Sequence, residues 1–102
     1  MDLKLDIDRK DQDILVKMGG DLDISSSKEF TSRIEKEYEK SPANIVFHME
    51  DLDYIDSTGL GAFMTFYRKL KDTDHSIRIK GAKENIFKIF KITELDKVFG
   101  ME

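Results

Sequence analysis

Cysteine and tryptophan are absent from this sequence of 102 residues, and it contains a single proline, Pro42. Without cysteine the chain can form no disulfide, thiolate nucleophile or cysteine-ligated zinc site, and it suits a reducing compartment. No apolar run approaches the roughly 18 residues that a membrane-spanning helix needs. The N-terminus also lacks the basic and apolar segments of a signal peptide. We therefore expect a cytoplasmic protein that does not act at a membrane.

Lysine and arginine are missing from residues 41–67, although the chain contains 17 of them in total. This stretch, which we call the acidic window, holds Glu50, Asp51, Asp53 and Asp56. Outside it acids and bases are equal in number, so the whole formal net charge of −4 comes from the acidic window. Because binding to phosphate backbones needs a basic face, we expect no direct contact with nucleic acid.

The length and composition predict one α/β domain, residues 1–102. With 39% apolar residues, including 7 phenylalanines and 3 tyrosines, the chain has enough material for a single core. Hydrophobic periodicity predicts a mixed β-sheet of about four strands, opened by a β-hairpin, with about four helices packed on at least one face. The predicted strands are residues 3–7, 14–18, 45–49 and 76–80, and the predicted helices are residues 26–41, 58–70, 86–90 and 95–99.

Local signals define several of these boundaries. Ser26 and Glu29 have the spacing of a capping box, in which hydroxyl and carboxylate satisfy free backbone amides at a helix start. Gly19 and Gly20 are expected to end the second strand. The continuous apolar run over residues 45–49 is typical of a central strand that is covered on both faces.

The two histidines do not indicate a metal site. His48 falls within a predicted strand and His75 within a predicted turn, and neither has an obvious set of neighbouring ligands. We interpret His48 as a packed or hydrogen-bonded residue at the edge of the core and His75 as an ordinary turn residue. We therefore expect no metal.

The segment of residues 49–61 leaves the central strand and enters the second helix, and its simplest interpretation is structural. Ser57 is a good N-cap residue, and Asp56 faces the positive end of the helix dipole. Gly59 and Gly61 would let the helix lie close to the sheet. This interpretation requires no function.

A second interpretation is an enzyme. A hydrophobic strand that ends in Asp51-Leu52-Asp53 is similar to the paired aspartates of phosphoryl-transferring hydrolases. However, no basic residue lies nearby in the sequence to hold a phosphate, and the chain contains no G-x-S-x-G, Walker or H-E-x-x-H motif. We therefore do not expect catalysis.

A third interpretation is a phosphorylation switch at Ser57. A serine at an exposed helix start is accessible to a kinase, and phosphorylation adds about −1.5 to −2 charges. The helix N-terminus would tolerate this anion in the isolated domain. In a complex, each new like-charge contact at ~6 Å would cost on the order of 2–3 kcal/mol at an effective dielectric of about 20.

Residues 54–61, which read Y-I-D-S-T-G-L-G, resemble the phosphorylation-site motif of bacterial anti-sigma factor antagonists, members of the STAS domain superfamily. Residues 20–23, G-D-L-D, resemble the G-E-L-D that follows the second strand of this family. Residues 86–93, I-F-K-I-F-K-I-T, resemble its L-x-x-L-F-x-I-T segment near the C-terminus. The resemblance covers nearly the whole chain and implies a STAS fold.

The resemblance implies that Ser57 is the phosphoacceptor. The unphosphorylated domain would bind an anti-sigma factor that is also a serine kinase, and so release the sigma factor. Phosphorylation of Ser57 would end binding, and a PP2C-type phosphatase would restore it. The kinase supplies the ATP chemistry, so the resemblance implies that this chain is not an enzyme and needs no cofactor. Asp23 is expected near Ser57, and the implied partner-binding residues are Asp23, Asp56, Ser57, Thr58, Gly59, Leu60 and Gly61.

The sequence departs from the family pattern in two places. Ser27 and Lys28 stand where the family often has Ala-Pro, and Glu94 stands where glycine commonly follows I-T. Neither change touches Ser57, but they leave the subfamily open. An alternative function is a STAS scaffold or assembly subunit of a larger signalling complex. The short chain and the serine at position 57 favour the free-standing antagonist.

Overall fold

The computed structural model describes residues 2–102, which form five strands, three α-helices and one 3-10 turn, Leu95–Lys97. The prediction of an α/β domain opened by a hairpin is confirmed, whereas the counts of about four strands and about four helices are wrong. No helix in this part of the chain is long and apolar enough to cross a membrane. The strands are β1 (Leu3–Lys10), β2 (Asp13–Leu22), β3 (Ile45–Ile55), β4 (Ile77–Lys80) and β5 (Gly100–Met101), and the helices are α1 (Ser27–Lys40), α2 (Ser57–Leu70) and α3 (Glu84–Ile92).

The five strands form one mixed sheet in the order β1–β2–β3–β4–β5. β1 pairs antiparallel with β2, and the pairs β2–β3, β3–β4 and β4–β5 are parallel. Because parallel neighbours need a crossover connection, a helix follows each of β2, β3 and β4. β2 and β3 therefore end at the same edge of the sheet, where α1 and α2 begin.

One face of the sheet carries the core, and all three helices pack on it. The rings of Phe47 in β3 and Phe63 in α2 meet edge to face, with centroids 4.8 Å apart. Phe30 of α1 lies 5.8 Å from the Phe47 ring and 5.4 Å from the Phe63 ring. Such pairs contribute roughly 0.5–1.5 kcal/mol each beyond the burial of their area. The aromatic cluster thus holds both helices against the central strand.

The opposite face of the sheet carries polar and charged side chains, and no helix within residues 2–102 packs on it. Lys17, His48 and Lys80 lie side by side there on three neighbouring strands. The expectation that β3 is covered on both faces is therefore wrong. Val46 is buried on this face although no helix covers it, because long side chains such as Arg78 of the paired strand flank it.

β2 continues through Gly19 and Gly20, so the expectation that these glycines end the strand is wrong. The pairing with β3 shifts in register between Lys17 and Gly19 and again between Gly20 and Asp21. Gly20 has a φ of +83°, and a Cβ at this position would lie 2.0 Å from the carbonyl oxygen of Asp2. Glycine therefore permits the bulge, and the bulge sets how the ends of β2 and β3 align.

The C-terminal segment differs from the prediction of a final helix over residues 95–99. It forms one 3-10 turn and then β5, a two-residue strand that pairs with β4. A strand of two residues has no hydrophobic alternation, so the sequence pattern did not reveal it. Glu94, at the position where the resembled family commonly has glycine, has a φ of 61°. This left-handed conformation favours glycine, which is the residue that the resemblance leads one to expect at this position.

An ion pair joins the outer strand β1 to α1. Nε of Arg9 donates to Oε2 of Glu37 at 2.7 Å, and Nη2 of Arg9 donates to the carbonyl oxygen of Glu37 at 2.7 Å. The hydrogen bond from Arg9 holds the pKa of the Glu37 carboxyl below its usual value. The pair therefore contributes to stability only while Glu37 is ionised.

We expect Glu37→Gln to flatten the decline in stability as the pH falls below about 5, through the unfolded pKa of a glutamate and then through the lower folded-state pKa of Glu37. A carboxyl whose pKa is lowered by folding stabilises the protein above its unfolded pKa, and this contribution is lost as the pH falls through the folded-state pKa. For a partly exposed pair it amounts to less than about 1 kcal/mol. Urea unfolding across this pH range measures the effect, with Glu35→Gln on the same helix as the control. Parallel pH profiles for wild type and Glu37→Gln would contradict the assignment.

Candidate functional site

The candidate site lies at the edge of the sheet where β2 and β3 end. The last two residues of β2 pair with the last two residues of β3, so the segments that follow them lie side by side. One is the loop of residues 23–26, and the other is the start of α2. The structure therefore brings the loop that contains Asp23 next to the helix start that contains Ser57.

Asp56 is the N-cap residue of α2, so the expectation that Ser57 caps this helix is wrong. Oδ1 of Asp56 accepts a hydrogen bond from the backbone amide of Gly59 at 2.9 Å. Oδ2 accepts another from the backbone amide of Ile24 at 3.1 Å. The backbone amide of Asp56 itself donates to the carbonyl oxygen of Leu22 at 3.2 Å. The two carboxylate oxygens of Asp56 thus satisfy two amides, one at the start of α2 and one in the loop that follows β2.

Ser57 and Thr58 are the first two residues of α2, and both are exposed. The first amides of a helix have no acceptor within the helix. The Gly59 amide is satisfied by the Asp56 side chain, whereas those of Ser57 and Thr58 have no acceptor within residues 2–102. The Ser57 hydroxyl thus lies beside two unoccupied donors at the positive end of the helix dipole.

The two glycines of the motif have different environments. A Cβ at Gly59 would lie 2.8 Å from the carbonyl oxygen of Leu22 and 2.8 Å from Cγ1 of Ile55, so α2 approaches the sheet closely there. A Cβ at Gly61 would meet nothing within 4 Å, so the expectation that Gly61 also serves close packing is wrong. Leu60 is partly buried and packs against the core.

Asp23 organises the loop of residues 23–26. Its Oδ1 accepts hydrogen bonds from the amide and the hydroxyl of Ser25 at 3.0 and 2.7 Å and from the amide of Ser26 at 3.2 Å. The Ser25 hydroxyl is the main cause that lowers the pKa of the Asp23 carboxyl, which therefore stays ionised at neutral pH. The turn is thus held in one shape by its own carboxylate.

The predicted capping box at the start of α1 is wrong. Ser26 is the N-cap residue but makes no side-chain capping hydrogen bond. Its Oγ instead accepts from the backbone amide of Asp23 at 3.0 Å and donates to the carbonyl oxygen of Asp21 at 2.9 Å. The loop therefore uses this hydroxyl to bind its own backbone to the end of β2.

Two exposed apolar side chains, one in the loop and one in the strand that precedes α2, were missed from the sequence. Ile24, next to Asp23, is 78% exposed, and Tyr54, near the end of β3, is 51% exposed. Single exposed apolar side chains are normal on a protein surface, so these two are of interest only for their position beside Asp23 and Asp56. In the sequence, Ile24 could have been found as an apolar residue within a polar turn. Tyr54 could have been found as a tyrosine directly before the apolar Ile55 at the end of a strand.

The tertiary structure brings a base to the acidic window. Nζ of Lys83, which precedes α3, pairs with the carboxylate of Asp53. Nδ2 of Asn85 also donates to the carbonyl oxygen of Asp53 at 3.2 Å. Asp51 and Asp56 have no lysine or arginine partner in the described part of the chain. Fewer carboxylates of the acidic window therefore lack a basic partner than the sequence indicates. Asp56, the residue next to Ser57, is one of those that remain.

No group of three or more histidine, aspartate or glutamate side chains within residues 2–102 is arranged to hold a metal ion. Nδ1 of His48 lies 3.8 Å from Oε2 of Glu50, on the open face of the sheet. Nδ1 of His75 lies 3.0 Å from the hydroxyl oxygen of Tyr38, so this histidine has a defined partner beyond its turn. Both histidines thus make local structural contacts.

We expect Gly59→Ala to lower the free energy of unfolding by about 1–3 kcal/mol, because its Cβ would overlap the backbone of β2. Gly61→Ala is the matched control on the same helix. It meets no atom and should raise stability by up to about 1 kcal/mol through helix propensity. Urea unfolding compares the two variants. Equal effects of both substitutions would show that α2 does not rest on the sheet at Gly59.

Comparison with known proteins gives the same fold. The chain matches the STAS domain family over residues 4–102. It is 30% identical over 95 residues to the anti-sigma-B factor antagonist of Staphylococcus aureus, across 93% of this chain and 88% of the relative. A crystal structure of an anti-sigma factor antagonist from Mycobacterium paratuberculosis matches with a TM-score of 0.82 at 22% identity, across 98% of this chain and 85% of that one.

The phosphorylated form of Bacillus SpoIIAA also matches, with a TM-score of 0.76 at 16% identity, across 97% of this chain and 91% of that one. At such low identities the two solved structures show the fold alone. The family match extends over nearly all of the chain, and the Staphylococcus aureus relative supports it. The chain therefore belongs to the STAS domain family and, within it, to the anti-sigma factor antagonists.

Proposed function

We propose that this protein is an antagonist switched by phosphorylation of Ser57. In the unphosphorylated form it binds an anti-sigma factor that is also a serine kinase, which sets the sigma factor free. A PP2C-type phosphatase removes the phosphate and returns the protein to its binding form. The observation that carries the proposal is the placement of Ser57, an exposed hydroxyl at the first residue of α2, beside the ordered loop of Asp23.

The proposed docking surface is the site just described. It comprises the loop of residues 23–26 and the first turn of α2, and its exposed apolar group is Ile24, while the exposed Tyr54 lies in the adjoining end of β3. The partner-binding residues are Asp23, Asp56, Ser57, Thr58, Gly59, Leu60 and Gly61. Within this set, Gly59 is buried against β2 and acts by letting the helix approach, while Ser57, Thr58 and Gly61 are exposed.

The domain itself tolerates a phosphate on Ser57. The side chain lies outside the core, and the free amides of Ser57 and Thr58 together with the helix dipole favour an anion there. The buried face of α2 begins at Gly59 and continues through Ala62, Phe63 and Phe66. Phosphorylation therefore changes the charge of the surface without changing the packing beneath it.

The bound kinase does not tolerate the same phosphate. A kinase holds its substrate serine against nucleotide phosphates and an acidic group, so phosphoserine meets like charge in the complex. At on the order of 2–3 kcal/mol for each contact, one or two contacts weaken binding by tens- to thousands-fold. The kinase contributes all of the phosphoryl-transfer chemistry. This protein is thus a substrate and ligand in the cytoplasm, with no catalysis and no cofactor of its own.

We expect the anti-sigma factor kinase of the source organism, with Mg-ATP, to add one phosphate to the peptide that contains Ser57. Intact-mass and peptide mass spectrometry detect it. Ser57→Ala removes the acceptor and should abolish modification, while Ser41→Ala, which removes an exposed hydroxyl outside the proposed docking surface, should retain it. Absence of the phosphate with a kinase that is active on another substrate would contradict the proposal.

We expect Ser57→Ala to bind the kinase with or without ATP, and Ser57→Asp to bind it tens- to thousands-fold more weakly. Calorimetry measures the affinity, and thermal unfolding checks that Ser57→Asp keeps a cooperative transition close to that of wild type. Loss of cooperative unfolding in Ser57→Asp would show that the charge acts on the fold and not on the partner. A large, stable assembly by light scattering, indifferent to the state of Ser57, would favour the scaffold function instead.

A further inference from the structure

One carboxylate joins the two segments of the candidate site. Oδ2 of Asp56 accepts from the amide of Ile24 at 3.1 Å, and Oδ1 accepts from the amide of Gly59 at 2.9 Å. The two amides are on different elements, the loop of residues 23–26 and the first turn of α2. We call this pair of hydrogen bonds the Asp56 clasp.

The remaining hydrogen bonds of the loop do not reach α2. Oδ1 of Asp23 binds the amides of Ser25 and Ser26, which lie in the same loop. Oγ of Ser26 binds the carbonyl oxygen of Asp21, which is part of β2. These bonds set the internal shape of the loop and its attachment to the strand. Within residues 2–102, the bond from Ile24 to Asp56 is the one that attaches the loop itself to the helix start.

We infer that Asp56 is a positioning residue whose carboxylate holds the loop of residues 23–26 against α2, so that Asp23, Ile24 and Ser57 form one ordered surface. The inference rests on the proposed function for what the surface binds. A preordered surface binds more tightly because association does not have to order the loop. In this role Asp56 acts through Ile24 and Gly59 and need not touch the partner.

The competing explanation is that Asp56 only caps α2. The variant Asp56→Asn distinguishes the two explanations, because asparagine has one acceptor oxygen where aspartate has two. Asparagine is as good an N-cap residue as aspartate, so its oxygen retains the bond to Gly59. Its amide nitrogen then faces the Ile24 amide, and two donors cannot bind each other. Asp56→Asn therefore keeps the cap and opens the clasp, whereas Asp56→Ala removes both.

The first measurement is amide hydrogen exchange by NMR on the full chain. In Asp56→Asn we expect exchange at Ile24 to rise about tenfold while the Gly59 amide keeps its protection. In Asp56→Ala both amides should lose protection. Asp51→Asn is the control for charge, because it removes one carboxylate from the exposed part of β3 and should change neither amide. Unchanged exchange at Ile24 in Asp56→Asn would overturn the inference.

The second measurement uses the kinase that modifies Ser57 in the wild-type protein. We expect Asp56→Asn to raise KM for phosphorylation about tenfold, with kcat near that of wild type, because the loop affects docking and not the transfer to an exposed hydroxyl. Asp51→Asn should keep KM near the wild-type value. An opened loop with an unchanged KM would overturn the positioning role, and a lower kcat with an unchanged KM would place Asp56 in direct contact with the reacting groups.

The two proposals fail in different ways. If no kinase modifies wild-type protein, the proposed function fails, while the exchange measurement still tests the clasp. If Ser57 is modified and Asp56→Asn changes neither Ile24 exchange nor KM, the clasp fails and the proposed function stands. The ratio of exchange at Ile24 to that at Gly59 therefore decides between a clasp and a simple helix cap.

Discussion

The parallel pairing of β2 with β3 is the constraint on which the candidate site depends. Parallel strands deliver their carboxyl ends to the same edge of a sheet, so the segments that follow them become neighbours. Ile24 and Asp56 are 32 positions apart in the chain and are joined by a hydrogen bond. Gly20 permits the bulge that aligns the strand ends, and Gly59 permits α2 to rest on the backbone of β2.

The same arrangement separates the packed core from the surface at which we propose that phosphorylation changes the charge. Phe30, Phe47 and Phe63 pack together and hold α1 and α2 on the sheet. Ser57 lies at the start of α2, outside this cluster. The proposed switch needs no bistable fold, because its change in free energy would arise in the complex and not in the domain.

Hydrophobic periodicity was enough to predict the main elements, because helices and long strands carry many residues with a regular period. It failed where a feature depends on few residues or on distant ones. β5 has two residues and exists because β4 offers a free edge. Ser26 was expected to cap α1, but the end of β2 lies within reach of its hydroxyl. Asp56 occupies the cap position predicted for Ser57, and its second oxygen binds the amide of Ile24, which is distant in the sequence.

Local patterns were enough to predict the α/β class and the family and to single out Ser57 as the proposed phosphoacceptor, since these depend on periodicity and on a contiguous string of residues. The sequence also located the excess negative charge in the acidic window, but not how much of it remains unpaired. Only the tertiary structure showed that Lys83 pairs with Asp53 and that the carboxylate of Asp56 joins two separate segments. Such contacts form between residues distant in the chain, and their geometry is set by strand register and helix packing, which no local pattern encodes.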